Sequence, residues 1–233
     1  MDQAIPYAQR RDDVPVLRNA DEYDGQPSVR IAATQLGPQV TRAAASRTLD
    51  GWVDFFEVQQ ATLREVDFVT RTPRRLFEAL GPQVQLTRLQ VKWGDCEDLV
   101  VLAGMSELRE LVLSGAARVR SLVPLASLGQ VGRLVVEGLR DVSDLSPVGE
   151  MGGVVDLELG GDWMGPRSVH VESIRFLDRM PQLRELVLHS MIVDDRDYSP
   201  LMRLPNLRQV RVASARGMRP ALEELKAALP WSG

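Results

Sequence analysis

The chain has 233 residues, enough for one large domain or two small ones, with the 44% hydrophobic and 26% charged content of an ordinary soluble globular protein. A formal net charge of -4 removes the electrostatic case for nucleic acid, because phosphate binding relies on clustered positive charge. No apolar run approaches the roughly 20 residues of a membrane-spanning helix, the opening MDQAIPYAQRRDDVPVL has no secretory apolar stretch, and a lone Cys96 excludes an intramolecular disulfide, so a reducing cytoplasm is the expected compartment.

In chain order, residues 1–12 are polar and expected to be partly disordered. VPVL at Val14 and SVRIA at Ser28, separated by the turn-rich ADEYDGQP, can form a β-hairpin. LGPQV occurs at Leu36 and again at Leu80, as a degenerate first repeat would leave it, although the TRAAASRTL that follows the first copy lacks strand alternation. DGWVDFFEVQQ places Trp52, Phe55 and Phe56 on one helical face, predicting a helix packed onto the first repeat strand. Residues 1–50 are read as an N-terminal cap. Among the basic residues only Lys92 and Lys226 are lysine, an arginine bias that fits a GC-rich bacterial genome.

From Leu63 onward the chain repeats itself. LREVDF at Leu63, LTRLQV at Leu86, LRELVL at Leu108, VGRLVV at Val131, VVDLEL at Val154, LRELVL at Leu183 and LRQVRV at Leu207 are each apolar at their first, fourth and sixth positions. Downstream halves align as well: CEDLVVLAGM from Cys96, VRSLVPLASL from Val119, VSDLSPVGEM from Val142 and VESIRFLDRM from Val171. A period of 22 to 24 residues with one strand per unit is the signature of a solenoid, here of about seven units over residues 51–215. Positions four and six alternate across a short strand and point the same way, and the second half of each unit turns back to cover them. A single unit cannot bury its own apolar face, so stacking supplies the core. In SPV at Ser146 and SPL at Ser199, serine is expected to cap a short helical turn with proline at its first position.

The unit at Val154 is longer than its neighbours, and the surplus falls in GGDWMGPRSVH, Gly160 to His170. Insertions in a repeat map to loops on one face, often the binding face. Beyond the last unit, RPALEELKAALP reads as a short amphipathic helix, making residues 216–233 a C-terminal capping helix.

These units resemble leucine-rich repeats, L-x-x-L-x-L-x-x-N-x-L, of the short internalin-like bacterial class, from about Leu63 to about Val212. The resemblance implies an α/β fold, a leucine-rich-repeat solenoid with a curved parallel β-sheet on its concave side and short helices and turns on its convex side. It departs at the asparagine position, occupied here by Gly94, Ala116, Leu139, Asp162, Met191 and Ala215. Members of the family use that asparagine to satisfy backbone groups at the turn.

On such a sheet positions three, five and seven of each strand face outward. Position three reads Glu65, Arg88, Glu110, Arg133, Asp156, Glu185, Gln209, a sequence of alternating signs that can pair laterally. At position five, Val112 and Val135 form an apolar strip between polar margins. The candidate partner-binding residues are Trp93, Val112, Val135, Glu158, Trp163, Met164, Val187, His189 and Arg211. Chemistry has little footing. Cys96 occupies an apolar repeat position, His170 and His189 lack a metal-ligand spacing, and Asp194, Asp195 and Asp197 lack the glycine and terminal glutamate of a calcium loop. The expectation is a monomeric, non-catalytic binder of another protein, without cofactor, metal, nucleic acid or membrane. The alternatives are an enzyme with a small site near His189 and Glu158, and a self-assembling structural module.

Overall fold

Two short strands, β1 (Val16–Leu17) and β2 (Ser28–Ile31), precede a helix, α1 (Arg42–Glu57), in the computed structural model, which describes residues 13–162, 165 and 167–231 apart from the Trp93 side chain. The expectation placed on residues 1–12 lies outside the described residues. Next come β3 (Glu65–Thr72), helix α2 (Arg74–Glu78), β4 (Arg88–Trp93), β5 (Glu110–Ser114), β6 (Arg133–Val136) and β7 (Asp156–Gly160). The chain ends in β8 (Val169–Val171), β9 (Glu185–His189), β10 (Met191–Val193), β11 (Gln209–Val212) and helix α3 (Leu222–Ala228). Nine strands form one sheet in the order β1-β2-β3-β4-β5-β6-β7-β9-β11. The two copies of LRELVL supply β5 and β9, equivalent rungs of that sheet.

Every pairing in the sheet is parallel, and the register stacks like on like. Leu89, Leu111, Leu134, Leu157 and Leu186 lie side by side on five successive strands. These leucines are fully buried, as are their convex partners Leu99, Leu122, Leu145 and Ile174. One continuous core therefore runs along the stack, each buried Leu or Val contributing on the order of 1.5–3 kcal/mol.

The convex side is built from 3-10 turns at Val100–Gly104, Val123–Ser127, Ser146–Glu150, Arg175–Arg179 and Ser199–Arg203. Ser146 and Ser199 do not cap these turns; they are the first residues of them. The capping oxygen comes from two residues earlier in every unit. Asp98, Ser121, Asp144, Ser173 and Asp197 accept from the N–H of Val100, Val123, Ser146, Arg175 and Ser199 at 2.7, 3.2, 2.8, 3.1 and 3.0 Å. A side chain two residues ahead can reach a free amide that the turn itself cannot satisfy.

At the missing asparagine the main chain provides for itself. Ala116 N–H donates to Glu137 O at 2.8 Å, Leu139 N–H to Gly160 O at 3.0 Å and Gly161 N–H to His189 O at 3.2 Å. Such direct stacking of turns needs small residues in contact. Gly138 sits at φ 74°, and a Cβ there would come within 2.7 Å of Gly115 Cα.

The first strands correct the sequence reading. VPVL and SVRIA form no hairpin: β1 pairs parallel with β2, Val16 beside Arg30, and β2 pairs parallel with β3, Val29 beside Val66. The sheet thus begins ahead of the recognisable repeat. The two LGPQV copies are not equivalent, since Leu36 precedes α1 and is half-buried while Leu80 follows α2 and is buried. Helix α1 starts where the Thr41 hydroxyl accepts from Ala44 N–H at 3.2 Å, and it buries Trp52, Val53 and Phe56. Phe56 meets Phe68 of β3 edge-on at 5.9 Å, and Trp52 Nε1–H donates to Arg18 O at 2.8 Å. Beyond α3, Val210 N–H donates to Pro230 O at 3.0 Å, so the outer edge of β11 is bonded at that point.

The long unit has its own consequence. Its extra residues let β8 pair with β10 as a separate two-stranded parallel sheet, Val169 beside Met191 and Val171 beside Val193. Among the described residues no helix is long and apolar enough to cross a membrane.

Candidate functional site on the concave face

Lateral register turns position three into a charge ladder. Arg88 Nε lies 3.1 Å from Glu110, Arg133 Nε lies 3.8 Å from the same carboxylate, and the Arg133 guanidinium also bonds Asp156. Farther toward β1, Ser28 Oγ donates to Glu65 at 2.9 Å and Arg30 Nε lies 3.3 Å from Asp67. Burial pushes the Asp67 carboxyl up, against the pull of Arg30 and Arg88.

Position five departs from the expected apolar strip. Val112 and Val135 are each only 4% exposed and Val187 only 5%, although none of the three joins the main core. Two of them have longer polar residues as lattice neighbours: Val135 has Arg133, Glu137 and Glu158, and Val187 has Glu158, Glu185, His189 and Arg211. Long polar side chains on neighbouring rungs are able to cover a short apolar one with their methylene stems. At these places the concave face exposes little of the valines.

Position seven carries the most concentrated chemistry. Glu137 follows β6 directly, Gly160 ends β7 and His189 ends β9, beside Gly160 in register. Glu137 is 7% and His189 4% exposed. His189 Nε2 lies 3.6 Å from Glu158 Oε1, and ligand-type atoms of Glu137, Glu158 and His189 all fall within 4.8 Å of one another. Burial and the Arg211 guanidinium push the His189 imidazole down to about 4, against an opposing pull from Asp162. The ring is neutral at neutral pH, so its approach to Glu158 is a polar contact without ion-pair character.

Of the residues singled out from sequence, the structure brings Val135, Glu158, Val187, His189 and Arg211 together on β6, β7, β9 and β11. Val112 lies beside Val135 on β5. Trp93 ends β4; its side chain, Trp163 and Met164 lie outside the described residues. Glu137 was missed, and its signal was its place in row seven, two rungs from His189. Cys96 is buried, its thiol donates to Asp98 O at 3.0 Å, and burial pushes its pKa up, which leaves it a packing residue.

A nine-stranded parallel sheet backed by repeated 3-10 turns, with rows of polar side chains on its open face, defines a leucine-rich-repeat solenoid. No protein-family model matches the chain, and no curated protein matches it in sequence. Solved structures do match in fold. Internalin C2 of Listeria monocytogenes superposes with a TM-score of 0.55 at 23% identity, over 65% of this chain and 62% of that one. Internalin F of the same organism gives 0.52 at 15% identity, over 81% of this chain and 49% of its own length. A leucine-rich-repeat protein of Leptospira interrogans gives 0.50 at 12% identity, over 86% and 48%. The chain thus spans less than two thirds of the length of the internalins it resembles, and the likeness is one of fold.

Proposed function

We propose that this protein is a non-catalytic, monomeric protein-binding module of the bacterial cytoplasm, of a regulatory or immunity type, and that it recognises its partner through the concave sheet. The reading is supported above all by the charge ladder. Largely buried side chains of alternating sign are held in fixed lateral register on a stiff sheet, so little side-chain freedom is lost on binding. Electrostatic complementarity of this kind supplies specificity and association rate. Trp93 and the 160–170 loop are also counted among the partner-binding elements in this proposal.

The test is retention of a partner from the native cell by immobilised protein. Wild type and a convex control, Val123→Arg, are expected to retain the same protein, and Glu185→Arg to lose at least about 90% of it with an unchanged circular dichroism spectrum. Equal retention by Glu185→Arg, or loss only in the convex variant, overturns the proposal.

A catalytic reading has one observation in its favour, the neutral buried imidazole 3.6 Å from a carboxylate. It requires turnover that vanishes in His189→Gln, whereas the binding reading predicts partner retention with no chemical change. Self-assembly by strand addition is opposed by the Val210 bond to Pro230 on the outer edge of β11.

A further inference from the structure

We propose that Glu137, Glu158 and His189 form a binding site for a divalent transition-metal ion on the concave face. Three adjacent rungs, β6, β7 and β9, deliver these groups from positions 137, 158 and 189, far apart in sequence and without any local motif. The rungs bearing Glu137 and His189 are separated by β7, and neighbouring strands lie about 4.8 Å apart. The two side chains can meet only if the residue between them leaves room. That residue is Gly160, and a Cβ on it would lie 2.7 Å from both Nδ1 and Cε1 of His189. The missing side chain is what admits the imidazole to the centre of the cluster.

Distances fit a metal shell. Ligands about 2.1 Å from a tetrahedral ion stand roughly 3.4 Å from one another. His189 Nε2 and Glu158 Oε1 are already 3.6 Å apart, and the whole set lies within 4.8 Å. A small rotation of the glutamate side chains closes the remainder. One imidazole nitrogen with two carboxylate oxygens, and no thiolate, suits zinc, manganese or iron(II) over magnesium or calcium. The affinity order places zinc ahead of manganese. A three-ligand set leaves the fourth position open toward the concave face, where a partner carboxylate or water can complete it.

The test uses the full-length protein, stripped with chelator and titrated with zinc, manganese and magnesium by calorimetry, with cobalt(II) absorption as a second readout. Wild type is expected to bind one zinc per chain and to give the visible bands of bound cobalt, with manganese weaker and magnesium undetected. Glu137→Gln and His189→Gln should each weaken zinc by about 100-fold or more while keeping the wild-type circular dichroism spectrum. His170→Gln is the control, because His170 forms a separate exposed pair with Asp194 at 2.7 Å and is expected to leave zinc binding unchanged. Absence of wild-type binding below millimolar zinc overturns the proposal, as does affinity that survives both site variants or falls only in the His170 variant. Partner retention is measured separately on chelated protein, so this site and the protein-binding reading can fail independently.

Discussion

Gly160→Ala should destabilise this fold by about 2–4 kcal/mol, and the reason is local. An added Cβ would lie 2.2 Å from the His189 carbonyl oxygen and 2.7 Å from its ring. The imidazole can rotate away, but the carbonyl belongs to β9 and cannot. Relief requires β7 and β9 to part by roughly 1 Å at that rung, in an interior packed too tightly to absorb it. Overpacking of that kind costs about 1–3 kcal/mol. The separation also breaks the bond from Gly161 N–H to His189 O, worth about 1 kcal/mol. Equilibrium unfolding in urea measures the sum, provided the slope is unchanged. Gly51→Ala is the matching control: Gly51 lies within α1 with nothing inside 4 Å of the added Cβ, so that variant should gain about 0.5–1 kcal/mol. Removing the ring first, as His189→Ala, should recover less than half of the Gly160→Ala penalty because the backbone clash remains. A Gly160→Ala protein within about 0.5 kcal/mol of wild type would refute the close approach of these two strands.

Three further outcomes follow from the same geometry. Asp144→Ala leaves the Ser146 amide without its 2.8 Å acceptor and should cost about 1 kcal/mol in urea unfolding, whereas Glu150→Ala, at the end of the same turn, loses only an exposed pair with Arg179 and should cost less. Leu134→Ala should cost about 2–5 kcal/mol and its neighbour Val135→Ala clearly less, since only the first lies in the continuous core; equal losses would place the concave valines in that core. For chelated protein the folded His189 value of about 4 lies below its ordinary 6.5, so the unfolded chain takes up the proton first as pH falls. Stability contributed by His189 is therefore complete above pH 6.5 and declines toward pH 4 by about 3 kcal/mol. Between pH 6.5 and 4 wild type should lose stability relative to His189→Gln by about that amount, and parallel curves would contradict the assignment.

The repeat was legible because stacking makes the same demand of every rung. Leu108, Leu111 and Leu113 recur as Leu183, Leu186 and Leu188, since each set faces the core at equivalent places. The first two strands were misread for a physical reason. Val29 and Ile31 alternate as in any half-buried strand, and alternation alone does not separate a hairpin from a crossover. Only ten residues, 18–27, join β1 to β2, and parallel connections are usually longer. The capping residues Asp98, Ser121, Asp144, Ser173 and Asp197 did recur in the aligned halves, but their spacing from the turn depends on where each 3-10 segment begins. Burial of Val112 and Val135 depends on side chains from neighbouring rungs, which no single unit reveals. The nearness of His189 to Glu158 was legible from row positions, whereas the entry of Glu137 needs the register across three strands and the open space at Gly160.

A photoreactive residue placed at either of two positions tests the proposed role of the sheet most directly. One replaces Glu185, exposed on the concave rung β9; the other replaces Val123, exposed at the start of a convex 3-10 turn. Irradiation in the native cell is expected to join a single protein partner to position 185 and nothing of that mass to position 123. Cross-linking from the convex site alone, or equally from both, would contradict recognition through the concave face.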